Sequence, residues 1–456
     1  MVDKKSILER YVREAHEKGV FTGTWLLAVR GKIVSTGAVG FRDAAGTLPM
    51  REDSIFDLCS VSKQFTAAAI LLLRREGLLA LDDEITRFFP ELPYGGITIR
   101  HLLTHTSGLP DCFAWIIKTA KAEGTIPNND VVLRFLTESG AQPDFAPGEQ
   151  WTYSNTGYAL LAQIAAKAAG IPFAGYLKEK LFTPAGMSAT ALCHRVRDGL
   201  IIDNLADGLF YEDGKWVPAE RSVWKDVVVA LDGSEGDGFV KSNVFDLLAW
   251  DQALRNETIL TKEEQALMYT PVRLNSGEPG GLGEGCGYGF GWIVIDNPGF
   301  GRLVLHNGSL SGYKTWYARF LDADIVAAAL CSCDGVDERG ADAFFEGLIP
   351  IALGYEAEPI RLTEELAVKN PAKSGWPRFC GEYERKGTGY QIERICLRDG
   401  DLYAAIFDTE TGLRFSARLY PFGETVFGIR EDSDEITFAE DCLRFRGQIC
   451  KKKPGV

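Results

Sequence analysis

Residues 57–75 constrain the fold of this chain more than any other stretch. They read Asp-Leu-Cys-Ser-Val-Ser-Lys-Gln-Phe-Thr-Ala-Ala-Ala-Ile-Leu-Leu-Leu-Arg-Arg. From Phe65 onward the run is apolar almost all round, so as a helix it has no face for solvent and must lie inside a sizeable core. Its head carries Ser60 and Lys63, three apart and therefore on one helical face. A serine hydroxyl is a weak nucleophile until a base takes its proton. A buried lysine amine can be that base, because desolvation lowers its pKa. Alone, Ser-x-x-Lys occurs by chance in many helices and reads equally well as a solvated pair.

With 456 residues, the chain suits one large domain plus a smaller one. Hydrophobic residues make up 46% and charged residues 25%, a globular composition. The net charge of −14 argues against nucleic acid or an anionic membrane as partner, since both demand basic patches. The first residues, Met1 to His16, read as an amphipathic helix without the apolar core of a signal peptide. The ten cysteines are scattered, with Cys331 and Cys333 too close for an ordinary disulfide. The expectation is a cytoplasmic protein with reduced thiols.

Strand-like runs at residues 23–30 and 32–37 form an expected hairpin about Gly31. Helical patterns dominate residues 79–267, for example 131–139, 159–169 and 245–254. Strand character returns at 287–295, 302–306, 315–321 and 323–331, and a helix over 337–353 closes the unit. The fold class expected is α+β: an antiparallel sheet built from both ends of the unit, flanked by helices, with an all-helical insertion. This catalytic domain is expected to span residues 1–358. A linker over 359–377 follows, then seven or eight short strands over 378–456 that suggest a small antiparallel β-barrel.

Two further segments bring chemistry beside the first. In Glu149-Gln-Trp-Thr-Tyr-Ser-Asn-Thr-Gly-Tyr158, Tyr153 and Asn155 point to one side of an extended or turning segment. A tyrosine near an ammonium can have a lowered pKa and shuttle protons. An amide can hold both the lysine and a substrate carbonyl. In His306-Asn-Gly-Ser-Leu-Ser-Gly312, Gly308 would let a substrate backbone lie close to the strand. His101 and His105, in Ile99-Arg-His-Leu-Leu-Thr-His-Thr-Ser-Gly-Leu-Pro110, are four apart but have no obvious third ligand, so no metal or other cofactor is expected. His16 and His194 read as surface or packing residues. The glycine-rich 277–287 reads as a surface loop. The acidic 232–238 segment reads as a wall of the cleft whose carboxylates are candidate ligands for a substrate amine.

With these motifs in this order, the chain resembles the penicillin-recognising serine hydrolases over residues 10–355. It is most similar to their class C β-lactamase-like branch of D-aminopeptidases, D-amino-acid amidases and esterases. The resemblance implies Ser60 as acylated nucleophile, Lys63 as its base, Tyr153 as second proton carrier and Asn155 as ligand to lysine and substrate. It implies an oxyanion hole from the N–H groups of Ser60 and Ser309, and a lipocalin-like C-terminal barrel able to cover the cleft or build a homo-oligomer. Loop 385–389 is a candidate to reach the active site. His306, with Gly308, stands where many members carry lysine, and a neutral histidine offers little to a substrate carboxylate. That departure shifts the expectation from β-lactam hydrolysis toward amide bonds of small-molecule or short-peptide substrates containing D-amino acids. The alternatives are a carboxylesterase with or without β-lactamase activity, and a non-catalytic binding protein that keeps the scaffold.

Overall fold

The computed structural model describes residues 3–384, 389–409 and 411–453. Eight antiparallel strands form the central sheet: β1 (Gly23–Val29), β2 (Lys32–Val39), β3 (Gly281–Gly283), β4 (Cys286–Tyr288), β5 (Ile293–Asn297), β6 (Gly301–Leu310), β7 (Tyr313–Phe320) and β8 (Ile325–Cys331). Their order is β2-β1-β8-β7-β6-β5-β4-β3. The early hairpin therefore joins strands from almost 300 residues later, with register running from Gly23 opposite Cys331 to Val29 opposite Ile325. This is the expected α+β arrangement.

Side-chain alternation along β1 divides the core. Trp25 and Leu27 face one layer, with Ile7 and Leu8 of helix α1 (Lys4–Glu17) and Phe344 of a helix near the chain's end. Leu26 and Ala28 face the other, with Phe65 and Ile70 of α2 (Lys63–Arg75). In α2 every residue from Lys63 to Leu73 is buried, as its all-round apolarity requires. Behind it stands α3 (Asn155–Ala169), then α4 (Val244–Arg255), and α5 (Glu338–Leu353) carries Phe344. Helix α3 begins four residues before its apolar period does, because the Ser154 side chain caps it by accepting from the Gly157 N–H.

The glycine-rich stretch is at the surface as expected but only partly a loop, since it supplies β3 and β4 at the edge of the sheet. Bare Cα atoms are needed there, since a Cβ on Gly287 would come within 2.6 Å of Pro271. Among the described residues no single helix is long and apolar enough to cross a membrane.

The C-terminal strands form two antiparallel sheets. One contains β9 (Gly381–Glu382), β10 (Tyr390–Arg398), β11 (Asp401–Asp408) and β12 (Arg414–Arg418). The other contains β13 (Tyr420–Pro421), β14 (Val426–Ile429), β15 (Asp432–Phe438), β16 (Cys442–Phe445) and β17 (Gln448–Lys451). They share one core that includes Trp376, Leu402, Phe427 and Phe438. The chain crosses between them at Leu419, and an isolated bridge pairs Tyr383 with Lys452 at the far edges. Among the described residues the ladders stop short of the closed barrel expected. The stretch before these sheets carries buried contacts of its own: Ile360 joins the α1–α5 layer, and the Thr363 N–H donates to Asp337 Oδ2 at 3.0 Å.

Candidate active site

Ser60 sits in a tight turn, Cys59–Ser62, that runs directly into α2. Cys59 holds φ +49°, a left-handed conformation that costs a residue bearing a Cβ free energy and needs support from its surroundings. That support is visible. The Cys59 N–H donates to Asp57 Oδ1 at 2.8 Å, and the other Asp57 oxygen receives Lys241 Nζ at 3.0 Å in a buried ion pair. Strand β7 adds Thr315, whose hydroxyl donates to the Leu58 carbonyl at 2.8 Å.

The lysine is completely buried. Its Nζ lies 3.0 Å from Ser60 Oγ, 2.8 Å from Asn155 Oδ1 and 2.6 Å from the main-chain oxygen of Asp237. Those three partners take all three hydrogens of an ammonium. In the neutral amine, Asn155 and Asp237 fix two N–H groups and leave the lone pair facing Ser60. Burial lowers the Lys63 pKa, the direction a base working near neutrality needs.

Tyr153 lies where the sequence places it but not in the expected state. Lys63 Nζ stands 4.8 Å from its ring centroid, against the face of the ring. Burial raises the phenol's pKa, and its proximity to Ser60 offsets that only in part. The expectation of a lowered pKa is therefore corrected: desolvation outweighs the nearby ammonium, and Tyr153 is a protonated phenol able to donate. Asn155 opens α3, so the turn before that helix delivers both residues to the lysine.

His306 is buried in β6. Its Nδ1–H donates to the Asn307 carbonyl at 2.6 Å, and its Nε2 accepts from the Tyr288 hydroxyl at 2.9 Å, an assignment made from this network. Burial first, then Lys63, push its pKa down to about 3. The ring is neutral, as the sequence suggested, and its two nitrogens are already engaged.

Gly308 has a different purpose from the one expected. A Cβ there would stand 2.7 Å from the Leu58 carbonyl, 2.8 Å from Cys59 Cβ and 2.6 Å from Thr315 Oγ1. The glycine thus lets β6 close onto the nucleophile turn itself, which brings the backbone of Ser309 beside Ser60. Strand β5 pairs with β6 only as far as Leu305, so among the described residues the 306–310 half of β6 has no ladder neighbour on that side. Ser309 is exposed there.

Several residues act without having been read that way. His105 holds φ +58°, accepts from the Ser154 N–H through Nδ1 at 3.0 Å, and receives the Thr152 N–H on its carbonyl at 3.0 Å. It thereby holds the segment that carries Tyr153. His101 instead caps its own helix through Nδ1. The two histidines do different structural tasks, and among the described residues no group of metal-ligating side chains is assembled. His194, read as a surface or packing residue, is buried and meets Glu235 at 3.3 Å. Tyr288, which holds His306, gave no signal in its sequence context. Residues 385–388 of the loop expected to reach the cleft lie outside the described residues.

A serine beside a buried lysine, with an asparagine and a tyrosine closing around the amine, on an antiparallel sheet flanked by helices, defines the penicillin-recognising class of fold and site. The chain belongs to the Beta-lactamase family, whose profile matches residues 8–348. It is 34% identical over 443 residues to Penicillin-binding protein 4* of Bacillus subtilis (strain 168), covering 96% of this chain and 94% of that one. It is 27% identical over 367 residues to a D-aminopeptidase of Brucella anthropi, covering 79% of this chain and 64% of the relative. In fold it resembles the octameric penicillin-binding protein homologue from Pyrococcus abyssi, with TM-score 0.66, 24% identity, and coverage of 97% and 99% of the two chains. The D-amino acid amidase from Ochrobactrum anthropi SV3 shares the fold at TM-score 0.63 and 24% identity, over 76% of this chain and 97% of its own.

Proposed function

We propose that this chain hydrolyses amide bonds through an acyl-enzyme on Ser60, and that its substrates are small amides or peptides bearing a D-amino acid with a free amine. The observation that carries the hydrolase reading is the Lys63 amine, buried, 3.0 Å from Ser60 Oγ and aimed at it by two fixed acceptors. In this reading Lys63 takes the hydroxyl proton as Ser60 attacks the carbonyl. The N–H groups of Ser60 and Ser309 receive the oxyanion, and Tyr153 protonates the leaving amine. Water then releases the acyl group.

Two observations support a substrate amine over a substrate carboxylate. His306 is neutral and has no free donor for an anion. Asp111 is exposed, and partial desolvation together with the fields of Asp237, Asp144 and Asp408 pushes its pKa up to about 6. Three carboxyls around it favour an incoming ammonium. The D-aminopeptidase relatives agree with this chemistry.

Hydrolysis of matched D- and L-alanine p-nitroanilides, beside Ser60→Ala, tests the reading. Cleavage of the D form alone, lost in S60A, is the expected result; activity that survives in S60A removes it. A carboxylesterase with β-lactam hydrolysis is the second reading, favoured by the penicillin-binding relative. It predicts turnover of chromogenic esters without an amine at rates equal to or above those with one.

A further inference from the structure

We infer that the Asp237 carboxylate is the counter-charge of Lys63, a positioning residue that keeps the lysine basic enough to take the Ser60 proton. This rests on Ser60 and Lys63 acting as nucleophile and base. It adds a residue whose side chain the reaction scheme leaves unused.

Asp237 belongs to the loop 232–238, which carries three carboxylates, and two of them have clear structural tasks. Asp232 accepts the N–H groups of Val196 and Arg197 at 2.7 and 2.8 Å, and Glu235 meets His194. Asp237 is different. It is 4% exposed, its main-chain oxygen holds Lys63 Nζ at 2.6 Å, and its Oδ1 is buried without a hydrogen-bond partner. The loop cannot drift away to relieve that oxygen. Thr66 of α2 donates to the Gly236 carbonyl at 2.7 Å, and Gly236 packs so tightly that a Cβ would stand 2.4 Å from the Tyr158 carbonyl. A carboxylate locked into low dielectric with one oxygen unpartnered and only its own backbone N–H to help it is costly unless a charge compensates it.

Of the charged groups that face this carboxylate, Asp57 and Asp111 oppose its ionisation, and Lys63 favours it most, ahead of His194. The other titratable groups that face the lysine come from every element around it, and each is neutral near pH 7. From the nucleophile turn come the Ser60 hydroxyl and the Cys59 thiol, whose pKa burial raises. From the turn before α3 and from α3 itself come Tyr153 and Tyr158, phenols raised by burial. His105 and His306 are both lowered by burial. Burial of Lys63 and the field of Asp237 therefore oppose each other on one amine: the first drives the proton off, the second holds it. Without the carboxylate, burial alone would leave a lysine that is neutral but too weak a base.

The sign of the test follows. If activity needs neutral Lys63, the ascending limb of kcat/KM against pH tracks its pKa, and removing a neighbouring negative charge lowers that pKa. In Asp237→Asn the limb should move to lower pH by about 1 unit or more, with a lower plateau. In Asp237→Glu, which keeps the charge, it should stay close to that of the unmutated protein. A D237N limb that does not move overturns the inference, whatever happens to the plateau, because a merely structural role would cut the rate without shifting the limb. Should D237N fail to fold, infrared spectra of the unmutated full chain and of Lys63→Met decide. A carboxyl ionised at neutral pH in the first and protonated in the second supports the pairing; identical carboxyl bands overturn it. Failure of the hydrolase reading is separate and would show as turnover that persists in S60A.

Discussion

At the residue scale, the site works by taking charge out of water and then limiting which charges remain. Lys63, His105, His306, Tyr153 and Asp237 are all held in a small dry volume, and each shifts toward its neutral form because burial dominates. Asp111 shows the same physics at the rim and allows a stability test. Its folded pKa, about 6, lies above the usual 3.8, so the folded state binds the proton more tightly than the unfolded state. The resulting destabilisation is full above about pH 6 and gone below 3.8. Asp111→Asn keeps an acceptor for the Phe113 N–H and should raise Tm at mildly alkaline pH while leaving it unchanged below pH 3.8, as differential scanning calorimetry would show. The same variant should raise KM for substrates with a free amine and leave N-acylated analogues unaffected.

At the scale of elements, the site is a junction between the head of α2, the start of α3 and the 306–310 half of β6. The junction tolerates little slack. Adding a methyl at Gly308 forces β6 away from the Leu58 carbonyl and the Cys59 side chain, neither of which can retreat without breaking the strained turn. Gly308→Ala should therefore cost about 1–3 kcal/mol in urea denaturation, the usual range for an overpacked core. It should also slow fluorophosphonate labelling of Ser60 more than the stability loss explains, since Ser309 moves with the strand. Labelling at the normal rate would show that the close approach of β6 does not set the oxyanion geometry.

At the scale of the whole molecule, the C-terminal sheets pack against the catalytic domain near Ser309 and are not merely appended. Phe415 meets Trp224 with ring centroids 6.2 Å apart, Leu413 packs against the catalytic core, and Asp408 adds to the field at Asp111. The head of α5 is tied to the same unit: the Glu338 N–H donates to the Arg430 carbonyl at 2.7 Å, and Arg339 reaches the Ser433 carbonyl. A cavity of about 610 Å³ between the two parts opens at Ser309 and is walled by Trp224, Tyr390 and Glu431. Deleting residues 373–456 should change selectivity among amide substrates, or the assembly state by light scattering, more than it changes Ser60 labelling. Unchanged selectivity together with unchanged mass would mean that the C-terminal sheets do not shape the cleft.

What the sequence determined by itself was the local chemistry and the layers. An all-round apolar helix headed by Ser60 and Lys63 has to be buried, and Tyr153, Asn155 and His306 stand in motifs whose spacing carries their direction. The helices from residue 131 to 254 and the strands from 302 to 331 were legible for the same reason: periodicity is a local property. The rest depended on distance in space. The glycines of 281–287 look like a loop until two strands pair there, with Gly287 close against Pro271. Gly308 looks like room for a substrate until the nucleophile turn fills that room. His105 looks like half a metal site until its ring accepts from Ser154. The protonation states belong wholly to the tertiary structure, because desolvation depends on what covers a group. Only the fold brings Asp237, 174 residues away along the chain, to within 2.6 Å of the lysine amine.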